Sequence, residues 1–135
     1  MIFLFCACGN TEIQKVEEYI WSLESVQGGD EKNGGYVACS PEMSNKIQDL
    51  SIPIIEIDCK AQNGVITLND KTNNKTYSGS YKVKSKDLKS ITYEITINSK
   101  QGLAVSAMTD YYDGSQTPTF IISIDGYVLN FYSRE

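Results

Sequence analysis

Hydrophobic and polar residues alternate with a period of two over most of this chain. The clearest run is Ile91, Tyr93, Ile95 and Ile97, interleaved with Thr92, Glu94, Thr96 and Asn98, the pattern of a half-buried strand whose side chains point to opposite faces in turn. From Tyr19 onward Trp21 and Leu23 alternate with Ser22 and Glu24, which predicts a first strand ahead of a glycine-rich, charged loop over 27–35. Further strands are predicted over 52–59 and 65–69, separated by Asn63-Gly64. An Asn-Gly pair between two apolar runs is a strong hairpin signal because both residues accept positive φ. A looser turn over 70–75 leads into Tyr77, Gly79, Tyr81 and Val83. Leu103 to Thr109 follows a glycine turn, and Phe120, Ile122 and Ile124 connect through Asp125-Gly126 to a last strand over 128–134.

Two stretches depart from the period of two. Ile13, Val16 and Ile20 have helical spacing, with Thr11 and Gln14 placed as a capping box, so 11–20 is either a short helix or a tether. Residues 40–50 place Pro41 at a first-turn position and predict a helical turn. The whole is an all-β meander of about eight short strands joined by tight turns, which favours a single small antiparallel up-and-down barrel, since closure removes exposed strand edges.

Composition is consistent with one globular domain: 135 residues, 41% hydrophobic and 21% charged, with nine tyrosines that suit β structure. The net charge of −5 opposes a polyphosphate backbone, so nucleic acid is not an expected partner. The lysines between Lys82 and Lys89 read as the solvated face of a strand and its turn. The chain has no histidine, which removes Ser-His and Cys-His pairs and the commonest general base, and it has no P-loop. Glu56 and Asp58 lie two apart on one strand and read as an outward, solvated pair. No catalytic constellation is visible, and neither enzymatic activity, a cofactor nor a metal is expected.

The N-terminus opens with the apolar run Met-Ile-Phe-Leu-Phe-Cys-Ala, followed by Cys8 and a polar stretch. These seven residues are too few to span a bilayer, which takes about twenty. With Ala7 directly before Cys8, the run resembles the end of a bacterial lipoprotein signal, in which a small residue precedes a cysteine that is acylated. Cys6 would place bulky Phe5 at the small-residue position, so Cys8 is favoured. The resemblance implies a truncated signal peptide over 1–7, a lipidated tether or short helix over 8–18 and a barrel domain over 19–135. It also implies attachment to a membrane of a bacterial cell envelope, with a periplasm-facing position as the default. In that compartment Cys39 and Cys59 are either a disulfide or two buried thiols.

Trp-Ser-Leu at 21–23, Tyr-Ser-Gly-Ser-Tyr-Lys-Val at 77–83 and Leu-Asn-Phe-Tyr-Ser-Arg at 129–134 together resemble the bacterial lipocalin-like lipoproteins. The resemblance implies a barrel whose Trp21 lies at the closed end with Arg134 packed across its ring, a cation–π pair worth about 0.5–2 kcal/mol. Trp-x-Leu and Gly79-Ser80-Tyr81 are also similar to the META-type domain of small envelope lipoproteins, the second choice.

An eight-stranded barrel is either filled by side chains or holds one small ligand. Tyr77, Tyr81, Tyr93 and Ile95 should point inward, where their bulk suits a ligand wall or a packed core equally. Asp110, Tyr111, Tyr112 and Asp113 form a loop with two acids and two aromatics, suited to coordinating calcium or gripping a ligand, although it lacks the ligand count of an EF-hand and Asp and Gly are also ordinary turn residues. Two functions follow. One is a lipid-anchored binding module for a small apolar or amphipathic molecule. The other is an envelope interaction or inhibitor protein with a packed barrel that binds a protein through loops such as 110–117.

Overall fold

A computed structural model describes residues 15–29, 36–47, 51–110 and 113–134. They form a closed antiparallel barrel of eight strands, with one additional strand and a single short α-helix. The strands are β1 (Ile20–Gly28), β2 (Tyr36–Cys39), β3 (Ile57–Gln62), β4 (Val65–Asp70), β5 (Lys75–Lys86), β6 (Ser90–Ile97), β7 (Lys100–Asp110), β8 (Gln116–Ile124) and β9 (Tyr127–Arg134). From β3 to β9 each strand pairs with the next, and β1 closes the ring by pairing with both β3 and β9. The predicted up-and-down barrel is therefore the observed one.

β2 is the strand that alternation did not reveal. Its four residues are too few to show a period, and it borrows the part of the β1 edge that β3 leaves unpaired. β3 meets β1 only at Trp21 and Ser22, whereas β2 takes the stretch from Ser25 to Gly28. Beyond β2, Cys39 bridges in parallel to Ile54 through bonds to Pro53 and Ile55, so the segment predicted as the start of β3 instead closes the wall beside β2. Pro53 lacks the N–H that a regular strand needs, which is why β3 begins at Ile57 rather than at 52.

The β1 register shifts between Leu23 and Ser25, a bulge at Glu24. Without that extra residue, strict alternation from Trp21 and Leu23 would send Val26 outward. With it, Trp21, Leu23 and Val26 are all buried. The Glu24 carbonyl accepts from the Ser40 N–H at 3.0 Å, where Ser40 caps α1 (Pro41–Ile47) by receiving the Met43 N–H at 3.1 Å. The helical turn predicted at Pro41 is present. Among the described residues no helix is long and apolar enough to cross a membrane.

One end of the barrel is plugged. A 3₁₀ turn, Val16–Glu18, lies across it: the Trp21 indole N–H donates to the Val16 carbonyl at 3.0 Å, and the Tyr93 hydroxyl accepts the Val16 N–H at 3.1 Å. The candidate capping box at Thr11 and Gln14 lies outside the described residues, and the turn instead starts with the Lys15 N–H donating to Glu18 Oε1 at 3.0 Å. Above it Trp21, Tyr93, Phe120 and Phe131 fill the interior, with Trp21 and Phe120 stacked at 5.4 Å and Tyr93 edge-on to Phe120 at 6.1 Å. Burying a ring such as Phe120 or Phe131 contributes about 1.5–3 kcal/mol.

Trp21 thus sits at the closed end. The Arg134 backbone pairs with Ile20, but the Arg134 side chain, and with it the cation–π pair, lies outside the described residues, as does Cys8.

Candidate functional site

Opposite the plug the barrel is open, and all eight of its strands contribute to a cavity of about 440 Å³. Six apolar side chains from six strands make the wall: Val26, Ile57, Leu68, Ile97, Ile124 and Leu129. β5 adds Tyr77 and β7 adds Lys100. The alternation that placed these residues inward also placed the core, but at this end the lining is mainly aliphatic, and its two aromatics, Tyr77 and Tyr127, are not fully buried as Trp21, Phe120 and Phe131 are.

The rim is polar. Asp70 is buried, and its carboxylate is held within the β4–β5 turn, accepting the Asn73 N–H at 3.0 Å and the Asn73 Nδ2 amide at 2.8 Å. Lys100 lies 3.9 Å from Asp125 on the neighbouring stretch of the rim, with both side chains largely exposed. Tyr127 and Asn98 complete the edge. No buried side-chain nitrogen or oxygen among the described residues lacks a hydrogen-bond partner. The cavity therefore offers an apolar interior and a charged lip, a combination that shelters a hydrocarbon group and leaves a polar group at the entrance.

The four residues read as one ligand wall do not come together. Tyr77 lines the mouth, whereas Tyr93 and Ile95 are buried in the packed core. Tyr81 lies toward the plug, where its hydroxyl donates to Glu17 Oε2 at 2.6 Å and its ring approaches Tyr93 at 5.9 Å. Tyr77 and Tyr81 are four residues apart on β5, about 13 Å along a strand, so one serves the mouth and the other the floor. Burial, with the Glu17 contact adding to it, pushes the Tyr81 hydroxyl up to about 12. Burial also raises Tyr93, against the hydrogen bonds from Ser106 and the Val16 N–H.

Cys39 and Cys59 are free, buried thiols, and the possible bridge is not formed. Cys59 pairs with Trp21 and Cys39 with Ser25 on the same edge of β1, which spaces them by about 13 Å, beyond the reach of a disulfide at about 4.4–6.8 Å between Cα atoms. Burial pushes the Cys59 thiol far above its usual range, and the neighbouring Asp58 carboxylate pushes it further, so it is kept as an inert packing group.

Asp58 itself is paired with Lys71 at 2.9 Å, and Glu56 lies 3.8 Å from the same ammonium, as suits an outward pair.

Asp110 and Asp113 build the β7–β8 turn. Asp110 accepts from Gln116 Nε2 at 2.6 Å, and Asp113 accepts the Ser115 hydroxyl at 2.6 Å and the Ser115 N–H at 2.9 Å, bonds that favour its ionised form and hold its pKa below the usual carboxylate value. Tyr111 and Tyr112 lie outside the described residues. Asp113 also borders an outer groove of about 500 Å³ shared with Glu24, Glu42, Lys46 and Tyr132 beside α1. Among the described residues no group of three Cys, Asp or Glu side chains is placed to hold a metal ion.

Fold and site together define a class: a small antiparallel barrel, plugged at one end and open at the other. Comparison with protein-family models, with curated proteins and with solved structures found no match to this chain.

Proposed function

We propose that this protein is a binding module of a bacterial cell envelope, anchored by a lipid on Cys8 and facing the periplasm, whose barrel mouth holds one small apolar or amphipathic molecule. The observation that carries the binding reading is the cavity of about 440 Å³ with its apolar wall and charged lip, a size within the range of about 300–1,000 Å³ typical of small-molecule sites. The likeness of three sequence segments to lipocalin-like lipoproteins supports the same reading, and the Ala7-Cys8 junction supports the anchor.

The test is native mass spectrometry of protein purified from its own envelope without denaturation. A reproducible added mass of one small molecule per chain is expected, together with an acylated N-terminal cysteine. A ligand-free mass in repeated preparations sinks the carrier reading. The outer groove beside α1, bordered by Asp113, then favours the alternative, a packed barrel that binds an envelope protein through its loops.

A further inference from the structure

The hairpin joining β5 to β6 ends in a tip that combines an exposed leucine with a cluster of lysines. Leu88 is 83% exposed, the most exposed large hydrophobic side chain among the described residues, and Val83 below it is 51% exposed. The tip is a built turn: the Leu88 N–H donates to Asp87 Oδ1 at 2.6 Å and the Asp87 N–H donates to the Ser90 carbonyl at 2.8 Å, which holds Leu88 outward.

Around it the charge reverses sign. Residues 82–89 carry four lysines against one aspartate, a local excess of three positive charges in a chain of net charge −5. Lys82 is engaged by Glu94 at 3.4 Å, but among the described residues Lys84, Lys86 and Lys89 have no ion-pair partner. A register shift between Val83 and Ser85 marks a bulge at Lys84, which re-aims the end of the hairpin.

We infer that this tip is a membrane-contact element, in which Leu88 enters the interface of an anionic bilayer while Lys84, Lys86 and Lys89 engage its phosphate headgroups. Leaving the apolar area of Leu88 in water is unfavourable, and the residues flanking it in the hairpin carry the charge that an anionic surface attracts. Each lysine near such a surface strengthens binding about fivefold.

Position within the fold agrees. Tyr81 and Tyr93, on the two strands of this hairpin, hold Glu17 and Val16 of the plug, so the chain enters the barrel at the end from which the tip projects. Contact there turns the open mouth away from the bilayer. The inference stands on the hairpin and does not need the anchor proposed for Cys8.

The experiment is co-sedimentation of the unlipidated full chain with vesicles of phosphatidylcholine and phosphatidylglycerol in equal amounts, against vesicles of phosphatidylcholine alone. Binding to the mixed vesicles that weakens in high salt is expected. Leu88→Asp should lower the partition coefficient about tenfold or more, and Lys84→Gln with Lys86→Gln and Lys89→Gln by about a hundredfold. Both variants alter only exposed side chains, and unchanged circular dichroism checks the fold. No binding to the mixed vesicles, equal binding to both vesicle types, or binding that survives both variants and thus comes from the apolar N-terminal run overturns the inference.

Discussion

Ser99 occupies the second position of the β6–β7 turn at φ 65°, after Asn98 at φ 51°. Both central residues of this tight turn take positive φ, as they do in Asn63-Gly64 and Asp125-Gly126, but only here does a residue with a Cβ and no local amide stand where the other turns have glycine. Ser99→Gly should therefore stabilise the protein by about 0.5–1 kcal/mol, read as a higher urea midpoint at unchanged slope. A lower midpoint would mean that the Ser99 side chain compensates for its backbone.

The same turn shows what a glycine elsewhere does. Gly102 was expected to make this turn and instead lies within β7, opposite Ile124, where a Cβ would come within 2.4 Å of the Ser123 carbonyl oxygen. Close strand approach, not positive φ, explains it, and a single-letter reading does not separate the two.

At the scale of elements, the plug is held by a chain of hydrogen bonds running from Trp21 through the Val16 peptide to Tyr93 and Ser106. Tyr93→Phe leaves the buried Val16 N–H without an acceptor, and a cost of about 1–3 kcal/mol in chemical unfolding is expected. Tyr81 ties the plug to β5, and its behaviour with pH has a definite sign. The unfolded chain releases this proton near the ordinary tyrosine value of 10.0 and the folded protein near about 12. Between these values the folded state binds more protons, so stability is intact below 10 and falls as pH rises toward 12. Urea midpoints measured across that window should fall, and Tyr81→Phe should make the fall shallower, with Tyr93 supplying a remainder of the same sign. An identical slope in the variant would remove Tyr81 from the account.

Across the whole molecule, the two ends of the barrel divide the work. Bulky rings from β1, β6, β8 and β9 pack the plugged half, while in the other half mainly aliphatic side chains, with Tyr77 and Tyr127, surround an open space. Leu129 faces that space from β9, so Leu129→Trp should lower affinity for an amphiphilic fluorescent probe by about tenfold or more while leaving the thermal midpoint within a few degrees. Unchanged affinity in a folded variant would place the probe elsewhere, with the outer groove beside α1 as the next location to test.

Alternation by itself determined that this chain is a meander of antiparallel strands and which residues of one regular strand share a face, whereas the meeting of Trp21, Tyr93, Phe120 and Phe131 in one core came from the closed ring. Alternation also located the Asn63-Gly64 and Asp125-Gly126 turns, whose backbone conformation is a local property of the residues in them. Which inward residues share a height along the barrel depends on register between strands distant in sequence, and on the bulges at Glu24 and Lys84 that shift it. The pairing of β1 with β2, β3 and β9 set Tyr77 at the mouth and Tyr81 at the plug of one barrel, spaced Cys39 from Cys59 along β1, and left one end of the barrel open. Those relations belong to the ring as a whole, since a strand carries its own pleat in its sequence but not its height against its neighbours.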